Sequence, residues 1–349
     1  MNFRLEQNLA PAKWEGFLLE QPHTIFVQSP AYTEFYKAMG EEGRIWGVFN
    51  EANELVAGSI IISVHARRGN FWLLPYGPII SSKITGTDRA IIFSFLAQVL
   101  KEEAKKAHMD FVRVSPFWPI TDHEMLGAFK ANKFIRSPLH ILAEYTWLLD
   151  ISPSEEDLLK NMEKNHRNLI RRCEKEGVRV EISSDPEAVE EFNRMHDVTV
   201  KRHNFHRFPD GYVRKEFNAL APKNASVIRA YLPDGTLDAV GIFMFYGTMS
   251  CYRHAASLMS DKHLPTSYAV QWAAIKEAKK RGCTTHNFWG IAPPKAKKNH
   301  PFFGISHFKK GFGGYKYDLI PCHDLPVSSK YYLTWLIEKV RSIRRGFSS

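Results

Sequence analysis

Cysteine is scarce and unpatterned in this chain: Cys173, Cys251, Cys283 and Cys322 are its four, and no two form a C-x-x-C pair. That argues against a disulfide-stapled scaffold and a zinc ribbon, and fits a reduced compartment. Long apolar runs are missing too. The longest, around residues 90–100, are too short to span a bilayer, and the opening MNFRLEQNLAPAKW puts charges where a signal peptide needs an apolar core. A cytoplasmic protein is expected. No Walker loop, G-x-G-x-x-G turn or G-x-S-x-G elbow occurs, so nucleotide, dinucleotide and serine-hydrolase chemistry lose their usual support. Acids are outnumbered as well: 37 Asp and Glu against 47 Lys and Arg leave a formal charge of +10. Such an excess points to a polyanionic partner, whether nucleic acid, a nucleotide-linked substrate or an acidic membrane surface.

What is present is organised twice over. A chain of 349 residues favours two domains, each able to bury a core. Residues 55–65 and 70–76 read as strands, followed by a turn at 76–78, a helix over 87–107 and a strand at 110–114. The second half repeats the order with strands at 227–232, 238–246 and 249–255, a helix over 266–281 and a strand at 285–289. A meander, a helix and a further strand, used twice, predict an α/β protein with mixed (α+β) sheets, in two tandem domains with a cleft between them.

Between the halves, Ser152-Pro153-Ser154-Glu155 has the form of a capping box, with Ser152 accepting from the Glu155 amide. One helix is expected from there to Gly177, with a cationic surface. A second should open at Asp185-Pro186 and run into His203. The pair His203 and His206 has no Cys or carboxylate cluster to complete a metal site, so no metal is expected. The tail, residues 330–345, is either a terminal helix docked on a domain or a basic interfacial helix. Residues 286–314 run from a short apolar strand through a basic Pro-rich loop to Phe308-Lys309 and a glycine pair. They deliver a cation to the mouth of a sheet, where negative charge on a ligand is favoured.

The duplicated plan is similar to that of acyl-CoA-dependent N-acetyltransferases (GNAT-like), whose pyrophosphate sits on a glycine-rich turn opening the central helix. Here the corresponding turns, residues 84–88 and 262–267, lack successive glycines, so coenzyme A is not expected as donor. A closer resemblance is carried by LLKNMEKNHRNLIRRCEKEGVRV at 158–180, residues 199–212, Ser267-Tyr268-Ala269-Val270-Gln271, Phe288-Trp289-Gly290-Ile291, and Phe308-Lys309 with Phe312-Gly313-Gly314. In this order they resemble the Fem family of peptidoglycan-bridge aminoacyltransferases, in its compact FemX-like type without a coiled-coil insertion.

That resemblance implies two acetyltransferase-like domains, residues 1–147 completed by 322–349, and residues 148–321. It implies transfer of an amino acid from aminoacyl-tRNA, as co-substrate and without a cofactor, to a stem-peptide amine of UDP-MurNAc-peptide or its lipid-linked form. The lipid-linked form would add peripheral contact with the inner face of the membrane. Lys309 and Phe308 would be catalytic, holding the oxyanion or the tRNA end. Arg207, Tyr212, Lys37, His254 and Tyr252 would bind the acceptor, and Lys295, Lys297, Lys298, Arg167 and Arg171 would contact tRNA. The sequence departs from the family at four of its usual positions. His254 stands where a tyrosine is usual, and Asn287 and Trp289 replace the Asp and first Gly of a Tyr-Asp-x-Gly-Gly strand end; a changed acceptor pocket follows. Lys37 lies one place beyond the usual lysine position, which Tyr36 occupies. Two other readings stay open: an N-acyltransferase fed by acyl-CoA or an acyl carrier, and a non-catalytic RNA-binding module.

Overall fold

The computed structural model describes every residue except 1, 68, 204–207, 210, 299, 301 and 345–349, and no side chain of 199–203. The chain divides into two units, Met1–Glu144 with Asp318–Ser349, and Tyr145–Tyr317. The first opens with β1 (Arg4–Glu6), α1 (Pro11–Leu19), α2 (Pro30–Ala38), β2 (Glu42–Phe49), β3 (Leu55–Ala66), β4 (Gly69–Tyr76) and β5 (Ile79–Ile80). There follow α3 (Thr87–Lys106), β6 (Phe111–Pro116), α4 (His123–Ala131) and β7 (Ile135–Arg136). β3 is buried without interruption from Val56 to Ser63, as its unalternated apolar run requires of a strand covered on both faces. α3 turns Ile92, Phe93, Leu96, Leu100 and Ala104 inward at helical spacing, with Asp88 in its first turn and Lys105 and Lys106 in its last. It is the crossover that lets β4 and β6 pair in parallel. Gln28 is buried and fastens this unit: its Oε1 accepts from Ile60 N at 3.0 Å and its Nε2 donates to Pro75 O at 2.5 Å.

The second unit holds β8 (Tyr145–Asp150), α5 (Glu155–Asn161), α6 (Lys164–Lys175), β9 (Arg179–Ser183), α7 (Val189–His203) and α8 (Tyr212–Leu220). After these come β10 (Ala225–Tyr231), β11 (Leu237–Tyr246), β12 (Met249–Ser257), α9 (Thr266–Lys280), β13 (Thr285–Gly290), α10 (Phe303–Lys310) and β14 (Tyr315–Asp318). The sheet runs β14-β8-β13-β12-β11-β10-β9, with β12 and β13 parallel across α9. Trp272, Ala274, Ile275 and Ala278 of α9 pack into its core with Phe243, Phe245 and Phe288.

The single helix expected over 152–177 is two. Ser154, not Ser152, caps α5 by accepting from Asp157 N at 3.1 Å, while Ser152 Oγ is spent on Asp150 Oδ1 at 2.6 Å. The break falls at Met162–Glu163 because Glu163 N leaves the helical ladder to donate to Gly311 O at 2.9 Å. Arg167 then covers the carbonyls left at the end of α5, donating to Leu159 O and Lys160 O at 3.3 and 3.1 Å.

The chain finally returns to the first unit with β15 (His323–Pro326) and α11 (Lys330–Arg344). β15 inserts between β6 and β7, antiparallel to both, in a sheet ordered β1-β2-β3-β4-β6-β15-β7. Buried Arg113 of β6 grips Asp324 at 2.7 Å and Glu338 of α11 at 2.7 Å.

Candidate active site

α10 carries Lys309, and its seat is built from the helix break just described. His166 of α6 is fully buried; its Nε2 donates to Phe308 O at 3.0 Å, and its ring lies so close to Gly311 that a Cβ there would be 1.9 Å from His166 Cε1. Only glycine fits at that contact. Phe308 is half-buried in the same cluster, edge-on to Tyr268 at 5.0 Å and to Phe312 at 5.2 Å. Lys309 itself is 5% exposed, donates from Nζ to Gly290 O at 2.6 Å, and lies over the Tyr252 ring at 5.6 Å. Burial removes water from the ammonium and pushes its pKa down to about 7. Buried His286 on the same strand is lowered to about 3, by its own burial and then by the Lys309 charge. It is neutral at physiological pH, hydrogen-bonded to Ser250 and Gln271 at 2.8 and 2.6 Å.

The carbonyl that Lys309 meets belongs to a distorted strand end. Trp289 has φ +64, a left-handed backbone unusual for a bulky residue, and Asn287 Oδ1 accepts from Trp289 N at 2.8 Å. The β13–β8 register shifts between Asn287 and Gly290. The two departures seen in the sequence thus act as a pair, Asn287 bracing the turn in which Trp289 stands at the position of the usual glycine.

A second distortion assembles the rest of the site. The β11–β12 register jumps from Ile242 opposite His254 to Phe243 opposite Tyr252, leaving Arg253 as the extra residue of a bulge. Arg253 and His254, neighbours that a regular strand would point to opposite faces, therefore both reach Glu216 of α8. Arg253 Nε donates to Glu216 Oε1 at 3.0 Å, and His254 Nε2 donates to Oε2 at 2.6 Å. Burial alone would raise the fully buried Glu216 carboxyl, but the Arg253 charge, and then His254, hold it well below the usual carboxylate range. Burial lowers His254 in turn, so the ring is neutral and the ion pair is Glu216 with Arg253. Arg253 also reaches Tyr212 Oη at 3.3 Å and lies over the Trp289 ring at 4.9 Å. Beyond Tyr212 a cavity of about 240 Å³ is lined by Glu190, Asn193, His196, Phe208, Tyr212 and Arg214.

Of the sequence-predicted residues, Lys309 and Tyr252 come together at one point, and Tyr212 and His254 are joined at another through Arg253 and Glu216. Arg207 lies outside the described residues. Lys37 is in the first unit, exposed, with Glu34 at 3.8 Å. Lys295, Lys297 and Lys298 are exposed in the loop after β13, and Arg171 is exposed on α6. Arg167 commits one guanidinium nitrogen to the α5 carbonyls, which gives it a structural task the sequence did not reveal. Glu216, Arg253 and His166 were missed. The spacing from Tyr212 to Glu216, one helical turn, was the available signal for the first, whereas Arg253 is legible only through the bulge.

The start of α9, where an acyl-CoA pyrophosphate would lie, has a carboxylate instead. Fully buried Asp238 accepts from Thr266 Oγ1 at 2.5 Å and from Ser260 N at 2.8 Å. Among the described residues, no group of three or more His, Cys, Asp or Glu is placed to hold a metal ion, and no helix is long and apolar enough to cross a membrane.

Two mixed α/β units built on one meander-helix-strand plan define a tandem acetyltransferase-like protein. The fold is shared with a tandem GNAT protein from the clavulanic acid biosynthesis pathway, at a TM-score of 0.53 and 12% identity over 93% of this chain and 99% of that one. It is shared more fully with the crystal structure of FemX, at a TM-score of 0.83 and 18% identity over 97% of this chain and 100% of that one. Aminoacyltransferase FemA of Staphylococcus aureus (strain bovine RF122 / ET3-1) is 20% identical over 411 residues, 93% of this chain and 96% of that protein. Residues 9–137, 136–237 and 224–339 match the FemAB family, and the chain belongs to it.

Proposed function

We propose that Lys309 carries the proton of an ester aminolysis in the second unit. As a FemAB-family member the chain is an aminoacyltransferase that moves an amino acid from aminoacyl-tRNA to a peptidoglycan precursor, building the interpeptide bridge. The observation that supports Lys309 is an amine buried to 5% exposure, hydrogen-bonded to a strand-end carbonyl, with a pKa near neutrality. Such a group exchanges a proton at physiological pH, as a surface lysine does not. In the reading proposed here, the acceptor amine attacks the ester carbonyl, a C–N bond forms, and the carbonyl oxygen becomes anionic. Lys309 takes the proton released from the new ammonium, and in its charged form faces that oxyanion. Collapse breaks the bond to the ribose oxygen, which receives the proton from Lys309, so that the tRNA leaves with a free hydroxyl and the amine is restored.

Phe308 offers the face not packed on Tyr268 and Phe312 to the terminal adenosine. Tyr212, His254 and Tyr252 line the acceptor's path, Arg207 takes its phosphate, and Lys295, Lys297, Lys298 and Arg171 contact the tRNA backbone. No coenzyme enters this scheme. The buried Asp238 carboxylate at the start of α9 would repel a pyrophosphate. The acceptor is nucleotide-linked or lipid-linked, and the lipid-linked form would bring the protein to a membrane surface.

The test is to incubate the protein with a panel of charged tRNAs and UDP-MurNAc-pentapeptide or its lipid-linked form, and to read product mass. A gain of one amino-acid residue is expected. A full panel without product, together with coenzyme A binding by calorimetry, would replace this reading with an acyl-CoA-dependent one.

A further inference from the structure

α11 has two sides of different character: a largely polar one that the fold uses and an apolar one that it leaves exposed. Its inner side is fixed to the first unit: Tyr331, Thr334 and Ser342 are buried, Trp335 Nε1 donates to Arg136 O at 3.3 Å, and the helix's one acid, Glu338, turns inward onto Arg113 at 2.7 Å. The outer side carries Tyr332, Leu333, Leu336, Val340 and Ile343, which are 58%, 62%, 55%, 42% and 56% exposed. At about 100° per residue these five fall within roughly 100° of arc, a continuous stripe rather than scattered positions. Lys339 borders one edge of the stripe, and Arg344, Lys330 and Arg341 lie beyond the other. With its acid turned inward, the outer side is wholly cationic and apolar.

We infer that this outer face of α11 docks on an anionic lipid surface, lying in the interface with the stripe among the acyl chains and the basic borders among the headgroups. The charge pattern selects this occupant. A flat apolar stripe rimmed by cations on both sides, in a chain of formal charge +10, complements a negatively charged bilayer along the whole helix. It deepens the acceptor reading above, since a lipid-linked precursor is presented at such a surface. Docking needs no tRNA and no precursor, so the two succeed or fail separately.

The experiment uses the full chain alone, sedimented with vesicles of phosphatidylcholine or of phosphatidylcholine mixed with phosphatidylglycerol. Binding to the mixed vesicles is expected, weakened by salt and much weaker on the neutral ones. The double variant Leu333→Glu/Leu336→Glu should lower vesicle partitioning roughly tenfold or more, with an unchanged melting temperature because neither side chain is packed. Lys339→Gln/Arg344→Gln should lose the preference for anionic lipid while keeping the residual neutral binding. Absence of sedimentation with either vesicle, or undiminished binding by the double glutamate variant, overturns the inference. So does a lipid-free dimer in sedimentation velocity that the glutamate variant dissolves, which would assign the stripe to a second copy of the chain.

Discussion

Replacing Lys309 by methionine should make the protein more stable and inactive. The lysine stem is buried whatever its charge, and Met keeps most of that volume, so the substitution removes mainly the desolvated amine. A fall in pKa from the ordinary 10.5 to about 7 corresponds to about 5 kcal/mol of penalty on the charged form. The hydrogen bond to Gly290 O returns about 1 kcal/mol of general stabilisation, which Met forfeits. The sign follows from proton counts. Between the folded pKa near 7 and the unfolded 10.5, the unfolded chain binds the extra proton, so the wild type gains stability as pH rises through that window. The advantage of Lys309→Met should therefore be several kcal/mol, about 3 to 4, at pH 7 and below, and should shrink to nothing or reverse near pH 10.5. Denaturant unfolding of both proteins at pH 6.5, 8.5 and 10, following the transition of the second unit, measures this, alongside aminoacyl transfer at pH 7. A variant less stable than wild type at pH 7, or a gain that does not change with pH, would refute the assignment of a desolvated, near-neutral amine.

Three further outcomes follow from the same geometry. Transfer in the wild type should rise through a pKa near 7 and then plateau, because the free amine of Lys309 starts the cycle; a rate falling over pH 6 to 8 in a pH–rate profile would contradict this. Glu216→Gln removes the buried carboxylate that faces Arg253 and should cost about 3–5 kcal/mol in denaturant unfolding, and the wild type should lose that support as pH falls below the ordinary carboxylate range. Trp289→Gly should relieve about 1–2 kcal/mol of left-handed strain while removing the ring under Arg253. Its stability should change by less than about 1 kcal/mol, while the acceptor KM shifts with little effect on the KM for charged tRNA.

The parts of this fold that local chemistry decides were legible in the sequence, and those that depend on a partner from far along the chain were not. The two meanders, the long helices α3 and α9 and the strands after them are each announced by their own periodicity. The helix over 152–177 was misread because its break is imposed by Gly311, more than a hundred residues away, accepting from Glu163. In the site, Phe308-Lys309 and Tyr212 were recognisable by motif. Arg253 was not, since period-two alternation sends it away from His254, and only the bulge in β12 brings both to Glu216. Asn287 and Trp289 stood out in the sequence as separate departures. The turn they share gives them one cause.

The strand order of the first sheet also sets a timetable. β15 lies between β6 and β7, yet it is synthesised after the whole of the second unit. The first sheet cannot close while the ribosome is still making residues 145–317, and β7, whose sheet pairing is to β15, waits with it. The second unit, contiguous in sequence, can complete its own sheet first. The sheet of the first half therefore stays open until the second half has been made, and β15 with α11 is the latch that closes it.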